Sequence, residues 1–249
     1  FQKPYIAAPI ICGKELTETL AEEIKNPANT SQVIGKMHPS TARQIKKAFS
    51  RAQDAFKEWN ESPAEHRAQI LEKIASLYEE NKEELYYLLI HEAGKTIPDA
   101  QDEIREAIDF CRYYAAQGRT LFKEEGILLP GPTGEQNSLS HHGRGCFVCI
   151  SPWNFPLAIY TGQIVAALMA GNTVLAKPAE QTPIIASFAL KLMHRAGIPQ
   201  NVLHLILGDG RIGDMLTSNI DTAGVAFTGS NETARLINQS LANKKGAIV

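Results

Sequence analysis

From Gly145 to Ala176 the chain carries no Lys, Arg, Asp or Glu, and this run constrains the fold more than any other feature. A stretch so long and so free of charge belongs inside a bilayer or inside a protein core. Pro152, Asn154, Pro156, Gln163, Gly171 and Asn172 interrupt it, and no basic cluster flanks it, which argues against a membrane span. A buried strand, turn and helix is the reading that remains.

The rest of the chain differs in character. Residues 1–126 hold 17 basic and 21 acidic side chains, whereas residues 127–249 hold 8 and 6. The net charge of −2 leaves no electrostatic footprint for nucleic acid or an anionic membrane surface. With 249 residues, one large domain or two of moderate size can bury a core without disulfides. Four cysteines are too few for a disulfide scaffold and no signal peptide opens the sequence, so a reducing cytoplasm is the expected compartment.

The charged part, residues 1–126, reads as helical. From Ser40 onward, Ile45, Phe49, Ala52, Phe56 and Trp59 recur at three- and four-residue spacing, the stripe of an amphipathic helix. Ser62, Pro63 and Glu65 then offer an N-cap, a first-turn proline and a capping-box carboxylate to a second helix with Ile70, Ile74, Leu77 and Tyr78 on one face. A third helix follows Pro98, with Ile104, Ala107, Ile108, Cys111 and Tyr114 as its stripe. The segment 127–145 is rich in Gly, Pro and Ser and reads as a hairpin or excursion.

Residues 146–249 alternate short apolar runs with helical ones. Strands are expected at Cys146 to Ser151, Thr173 to Lys177, Val202 to Leu207, Val225 to Thr228 and Ala247 to Val249, with helices near 157–170, 182–196, 211–219 and 231–243. Strands alternating with helices imply right-handed crossovers and a parallel sheet covered on both faces. The predicted fold class is therefore α/β.

Several motifs carry candidate chemistry. Cys146 and Cys149 form a CxxC, but residues three apart on a strand point to opposite faces, and no second CxxC or paired His adds ligands. They read as structural cysteines, and no metal site is expected. Gly208, Gly210 and Gly213 follow a strand and open a helix, as in a dinucleotide fingerprint. The next strand, however, ends in Phe227-Thr228-Gly229-Ser230, without the acid that usually binds a ribose. A carboxylate stands elsewhere, in Lys177-Pro178-Ala179-Glu180, where it could reach a ribose from the carboxyl edge of the sheet or form a plain surface ion pair. Trp153 and Asn154, held between Pro152 and Pro156 at a strand end, make a rigid polar corner. Asn154 there could simply satisfy local backbone groups.

Taken together, PWNFP, AGNTVLAKPAE and FTGS, in this order and spacing, with HEAGKT at 91–96, resemble the cofactor-binding half of the aldehyde dehydrogenase superfamily. The similarity runs from about residue 20 to the last residue. REAIDFCRYYA at 105–115 and the stretch from Ile150 to Pro183 are more closely similar to L-glutamate gamma-semialdehyde (1-pyrroline-5-carboxylate) dehydrogenases, above all the module found in bacterial proline utilization A proteins.

The resemblance implies a Rossmann-like parallel sheet with the N-terminal helices packed on it, and an NAD cofactor. Asn154 would donate a hydrogen bond to the oxyanion formed when a cysteine thiolate adds to the aldehyde. Lys177 and Glu180 would bind the adenosine ribose, the carboxylate favouring NAD over NADP. Gly229 and Ser230 would lie by the pyrophosphate. Ile150, Trp153, Gly210, Gly213 and Phe227 would line the remaining cofactor surface.

The family's nucleophilic cysteine and its general-base glutamate in ExGG are not found in these residues: Cys12, Cys111, Cys146 and Cys149 lie outside any Gly-Gln-rich loop. The chain starts with Phe and stops in an apolar run, so both ends read as cuts in a longer polypeptide whose catalytic domain lies beyond Val249. The 249 residues alone are expected not to turn over. The intact parent would act on a small aldehyde and form a homo-oligomer through the 127–145 excursion. It would carry FAD only in a separate proline dehydrogenase domain. Rival readings are another semialdehyde dehydrogenase of the superfamily and a non-catalytic nucleotide-binding or scaffold protein.

Overall fold

A computed structural model describes residues 5–244. The strand expected at Ala247 to Val249 lies outside the described residues.

Residues 5–37, expected within a helical part, are strands instead. They form β1 (Tyr5–Ala7), β2 (Ile10–Ile11), β3 (Lys14–Glu15), β4 (Glu22–Asn26) and β5 (Asn29–Met37). β5 pairs parallel with β1 and antiparallel with β4 in a small sheet. β2 and β3 are joined by Cys12 at φ 54° and Gly13 at φ 71°, the two positive φ values of a type I′ hairpin.

Four helices follow: α1 (Ala42–Glu61), α2 (Ala64–Glu80), α3 (Lys82–His91) and α4 (Ile97–Leu121). The capping box belongs to α1, where Thr41 and Gln44 bond reciprocally. Ser62 does not cap α2, whose N-cap is Pro63 and has no side-chain bond. The Ser62 hydroxyl instead donates to Trp59 O at 2.6 Å, closing α1. The α3 helix was not expected; it follows α2 after the single residue Asn81 and buries Leu85, Leu88 and Leu89. Two short strands, β6 (Ile127–Leu129) and β7 (Asn137–Leu139), pair as an antiparallel hairpin within the 127–145 excursion.

The charge-free run folds as β8 (Cys146–Ile150), α5 (Ala158–Met169) and the first residues of β9 (Thr173–Lys177). Then come α6 (Pro183–Ala196), β10 (Leu203–Leu205), α7 (Gly210–Thr217), β11 (Thr222–Phe227) and α8 (Asn231–Ala242). These strands make a six-stranded sheet ordered β11-β8-β9-β10-β2-β3. Its first four strands are parallel, and β2 adds antiparallel to β10.

Both faces of the sheet are covered, which is why its strands carry so little charge. On one face Cys149, Val174 and Ala176 join a large core with α2, α4, α5 and α6. On the other, Cys146, Val148, Leu175 and Val225 pack with Ile45, Phe49 and Ala52 of α1, Ile212 and Leu216 of α7, and Ile237 and Leu241 of α8. The two cysteines of the CxxC therefore belong to opposite cores. Arg67 is buried, and its Nε donates to Met169 O at 3.0 Å, while Trp59 Nε1 donates to Leu168 O at 3.1 Å. These bonds tie the carboxyl end of α5 to the helical layer. No described helix is long and apolar enough to cross a membrane.

Candidate functional site

The register aligns Lys177 of β9 with Ile150 of β8, and Ile150 with Phe227 of β11. These three residues form one row at the carboxyl ends of adjacent strands. The strand order reverses beside them: the chain moves outward from β8 through β9 to β10, then returns to place β11 on the other side of β8. In open α/β sheets this reversal leaves a crevice where ligands bind.

A cleft of about 1150 Å³ opens there. Ile150, Trp153, Asn154, Lys177, Glu180, Gly210, Gly213, Phe227, Gly229 and Ser230, the ten site residues singled out from the sequence, all line it. Three chain segments bring them together: the loop after β8, the loop after β9, and the β11–α8 junction, with α7 as a side wall.

Lys177 is 5 % exposed. Its Nζ donates to Pro178 O at 3.2 Å and stands 4.0 Å from Glu180 Oε2. The pair is therefore no simple surface ion pair, since one member is buried and only the carboxylate is half-exposed. Burial holds the Lys177 pKa below its ordinary value, opposed by the charges of Glu180 and Asp209. An ammonium donor beside a carboxylate acceptor on a cleft wall matches the needs of adjacent hydroxyls.

Asn154 is exposed at the cleft mouth and makes no side-chain hydrogen bond to local backbone among the described residues. Trp153 beside it is 57 % exposed. At Gly210 a Cβ would meet nothing within 4 Å, whereas at Gly229 it would stand 2.6 Å from the Phe227 ring. The first glycine leaves open space on the cleft wall; the second lets the backbone pass close to the tip of an aromatic ring.

The helices behind the cleft are capped in two ways. Those of α7 and α8 are local: Asp209 accepts from Arg211 N at 3.0 Å, and Ser230 from Thr233 N at 3.1 Å. At α5 and α6 the N-cap residues, Leu157 and Thr182, make no side-chain cap bond. Glu103 of α4 supplies the cap of α5, accepting from Leu157 N at 2.8 Å and Ala158 N at 3.2 Å. Glu92 supplies that of α6, accepting from Ile184 N at 2.7 Å and Ile185 N at 2.8 Å. Lys95 pairs with Glu103 at 2.5 Å and lies 4.0 Å from the centre of the Phe155 ring, next to Asn154. Thr96 caps α4 itself, accepting from Asp99 N at 3.3 Å.

The HEAGKT segment is thus a junction between the helical layer and both cleft loops. Reading the sequence alone missed the parts played by Glu92, Lys95 and Glu103. The available signal was indirect: α5 and α6 begin without a working cap of their own, so their first amides need acceptors from elsewhere.

Burial pushes the Glu92 pKa up to about 8, against the pull of the two amides. Its folded-state value is raised, so its contribution to stability is fully present below the unfolded pKa and is lost as pH rises through about 8. Glu92→Gln does not titrate. The stability of the wild-type chain relative to this variant should therefore fall by a few kcal/mol between about pH 5 and about pH 9 in chemical denaturation. A difference that does not change with pH would refute the assignment.

Burial also pushes the thiols of Cys111 and Cys146 up to about 12, and that of Cys149 above its ordinary value. They stay protonated at neutral pH, as structural cysteines do. Among the described residues no three His, Cys, Asp or Glu side chains are grouped to hold a metal ion.

Comparison with known proteins gives a consistent set of relatives. The model of the aldehyde dehydrogenase family matches residues 16–249. The bifunctional protein PutA of Escherichia coli K12 is 40 % identical over 245 residues, covering 98 % of this chain and 17 % of its own length. The 1-pyrroline-5-carboxylate dehydrogenase of Bacillus subtilis is 40 % identical over 224 residues, covering 89 % of this chain and 43 % of its own. A crystal structure of 1-pyrroline-5-carboxylate dehydrogenase from Thermus with bound NAD superposes with a TM-score of 0.93 at 31 % identity, covering 98 % of this chain and 49 % of that one. The chain thus spans less than half the length of each of these relatives.

Proposed function

The chain belongs to the aldehyde dehydrogenase family, and from that premise we propose that it is the cofactor-binding part of an NAD-dependent enzyme that oxidises L-glutamate γ-semialdehyde to L-glutamate in cytoplasmic proline catabolism. The observation that carries the reading is the Lys177–Ile150–Phe227 row at the strand reversal, opening on a cleft that all ten site residues line.

The cleft suits a dinucleotide. Lys177 and Glu180 present a donor and an acceptor for the two ribose hydroxyls, and a carboxylate there disfavours a 2′-phosphate, so NAD is preferred over NADP. The amino end of α8, with Gly229 and Ser230, faces the cleft where a pyrophosphate would gain from unpaired amides. Gly210 leaves open space on another part of the cleft wall. When bound, NAD supplies the hydride acceptor.

Asn154 aims an amide donor at the oxyanion that forms when a thiolate adds to the aldehyde. A nucleophilic cysteine loop and an ExGG glutamate do not occur in these 249 residues, so the chain alone does not turn over. The hairpin of β6 and β7, with Leu128, Leu129 and Leu139 exposed, is the contact surface with a second copy in the assembled enzyme. A flavin-dependent proline dehydrogenase module in the same polypeptide belongs to this reading, by similarity to the bifunctional relatives.

Calorimetric titration of the chain with NAD tests it. Saturable binding is expected, weakened about tenfold or more by Glu180→Ala through loss of a charged acceptor. No binding, or equal binding by the variant, would overturn the assignment of the cleft.

A further inference from the structure

We propose that Glu92 is a positioning residue for the cofactor ribose: its buried carboxyl group, delivered by the helical layer, holds the amino end of α6 and so sets the loop that carries Lys177 and Glu180. This rests on the dinucleotide reading above and deepens it.

Glu92 does not line the cleft; it is the buried C-cap residue of α3 and meets α6 at its first turn. Its route to the site is the backbone. Pro183 opens α6 and has no amide hydrogen, which leaves Ile184 N and Ile185 N as donors in the first turn that need acceptors. Thr182 holds the N-cap place but has ψ 51°, short of the extended value of a working cap. Its Oγ1 is buried and unpaired among the described residues. Both carboxyl oxygens of Glu92 are spent on the two amides instead.

From there the constraint passes to the site in one turn. Ser151 N donates to Lys177 O at 3.2 Å, which pins the strand end of the segment, and Thr182 N donates to Ala179 O at 3.1 Å, which closes residues 179–182 into one turn; the other end of the segment is held by α6 through the Glu92 bonds. Glu180 projects from the middle of that pinned turn. Releasing the amino end of α6 frees one of the two pins and lets the ribose carboxylate move relative to Lys177.

A purely structural role for Glu92 would lower stability without favouring one part of the cleft. A double-mutant cycle separates the two. Glu92→Leu should weaken NAD binding by about tenfold or more, because it acts through Glu180. In a Glu180→Ala background the same change should add less than about a twofold loss. Glu92→Gln keeps one acceptor for two donors and should fall between wild type and Glu92→Leu; it also keeps the test open should the Leu variant not fold. Arg67→Met removes another buried polar tie, at the far end of α5, and should lower the melting temperature while leaving NAD affinity within about twofold.

Equal losses in both Glu180 backgrounds, or unchanged affinity in Glu92 variants that have lost stability, would overturn the proposal. Absence of NAD binding by the wild-type chain, or no effect of Glu180→Ala, would instead overturn the dinucleotide reading and the proposal with it.

Discussion

Replacing Asn154 with Ala in the intact enzyme should lower turnover by about 10²- to 10³-fold, the usual consequence of removing one donor aimed at a developing oxyanion. Folding should hardly notice. Asn154 is exposed, and its side chain bonds no local backbone among the described residues, so the stability change should stay within about 0.5 kcal/mol. Pro152 and Pro156 restrict the backbone of the corner that carries Asn154. Turnover and thermal unfolding measured on the same preparation decide the matter. A loss of turnover below about threefold, or a parallel collapse of stability, would remove Asn154 from the reaction.

Glu103→Leu should have the opposite profile, with stability taking the main loss. The Glu103 carboxylate is fully buried and its partner Lys95 is only 11 % exposed. Removing one member of such a pair leaves an uncompensated charge, which costs about 3–5 kcal/mol, and here Leu157 N and Ala158 N also lose their acceptor. Adding Lys95→Met should recover a substantial part of the loss by removing the stranded ammonium. Urea denaturation of the single and double variants reads both numbers. A single-variant loss under about 1 kcal/mol, or no recovery in the double variant, would show that the pair is not the brace described above.

These two residues also mark what could be read from the sequence and what could not. Asn154, Lys177 and Glu180 line one cleft because each stands at or just past the carboxyl end of a short apolar strand, and strand ends announce themselves through the Pro, Gly and Ser that follow; the roles proposed for them come from the family resemblance, not from the residues alone. The alternation in residues 146–244 fixed strand after helix for the same reason, since buried parallel strands have no use for charge. Glu103 and Glu92 were invisible as functional parts. Each acts across tens of residues on a helix that lacks its own cap, and a cap supplied from another element leaves no local pattern.

The strands of residues 5–37 escaped for a different reason. β2 and β3 have two residues each, and in β5 only Ile34, Gly35 and Met37 are buried, too few for a two-residue period to stand out. α3 was hidden by its closeness to α2, with Asn81 alone between them. Ser62 looked like a cap by composition, but the extended backbone at Ser62 and Pro63 commits its hydroxyl to the helix behind it.

The two ends of the large sheet differ in a way that bears on assembly. At one end β3 offers only Lys14 and Glu15, both exposed and charged, and short charged edge strands repel further pairing. At the other, β11 is six residues of Thr, Ala, Gly, Val and Phe without a charge, and it has no second neighbour among the described residues. Any strand that joins this sheet is thereby steered to β11, whose last residue, Phe227, lines the cleft.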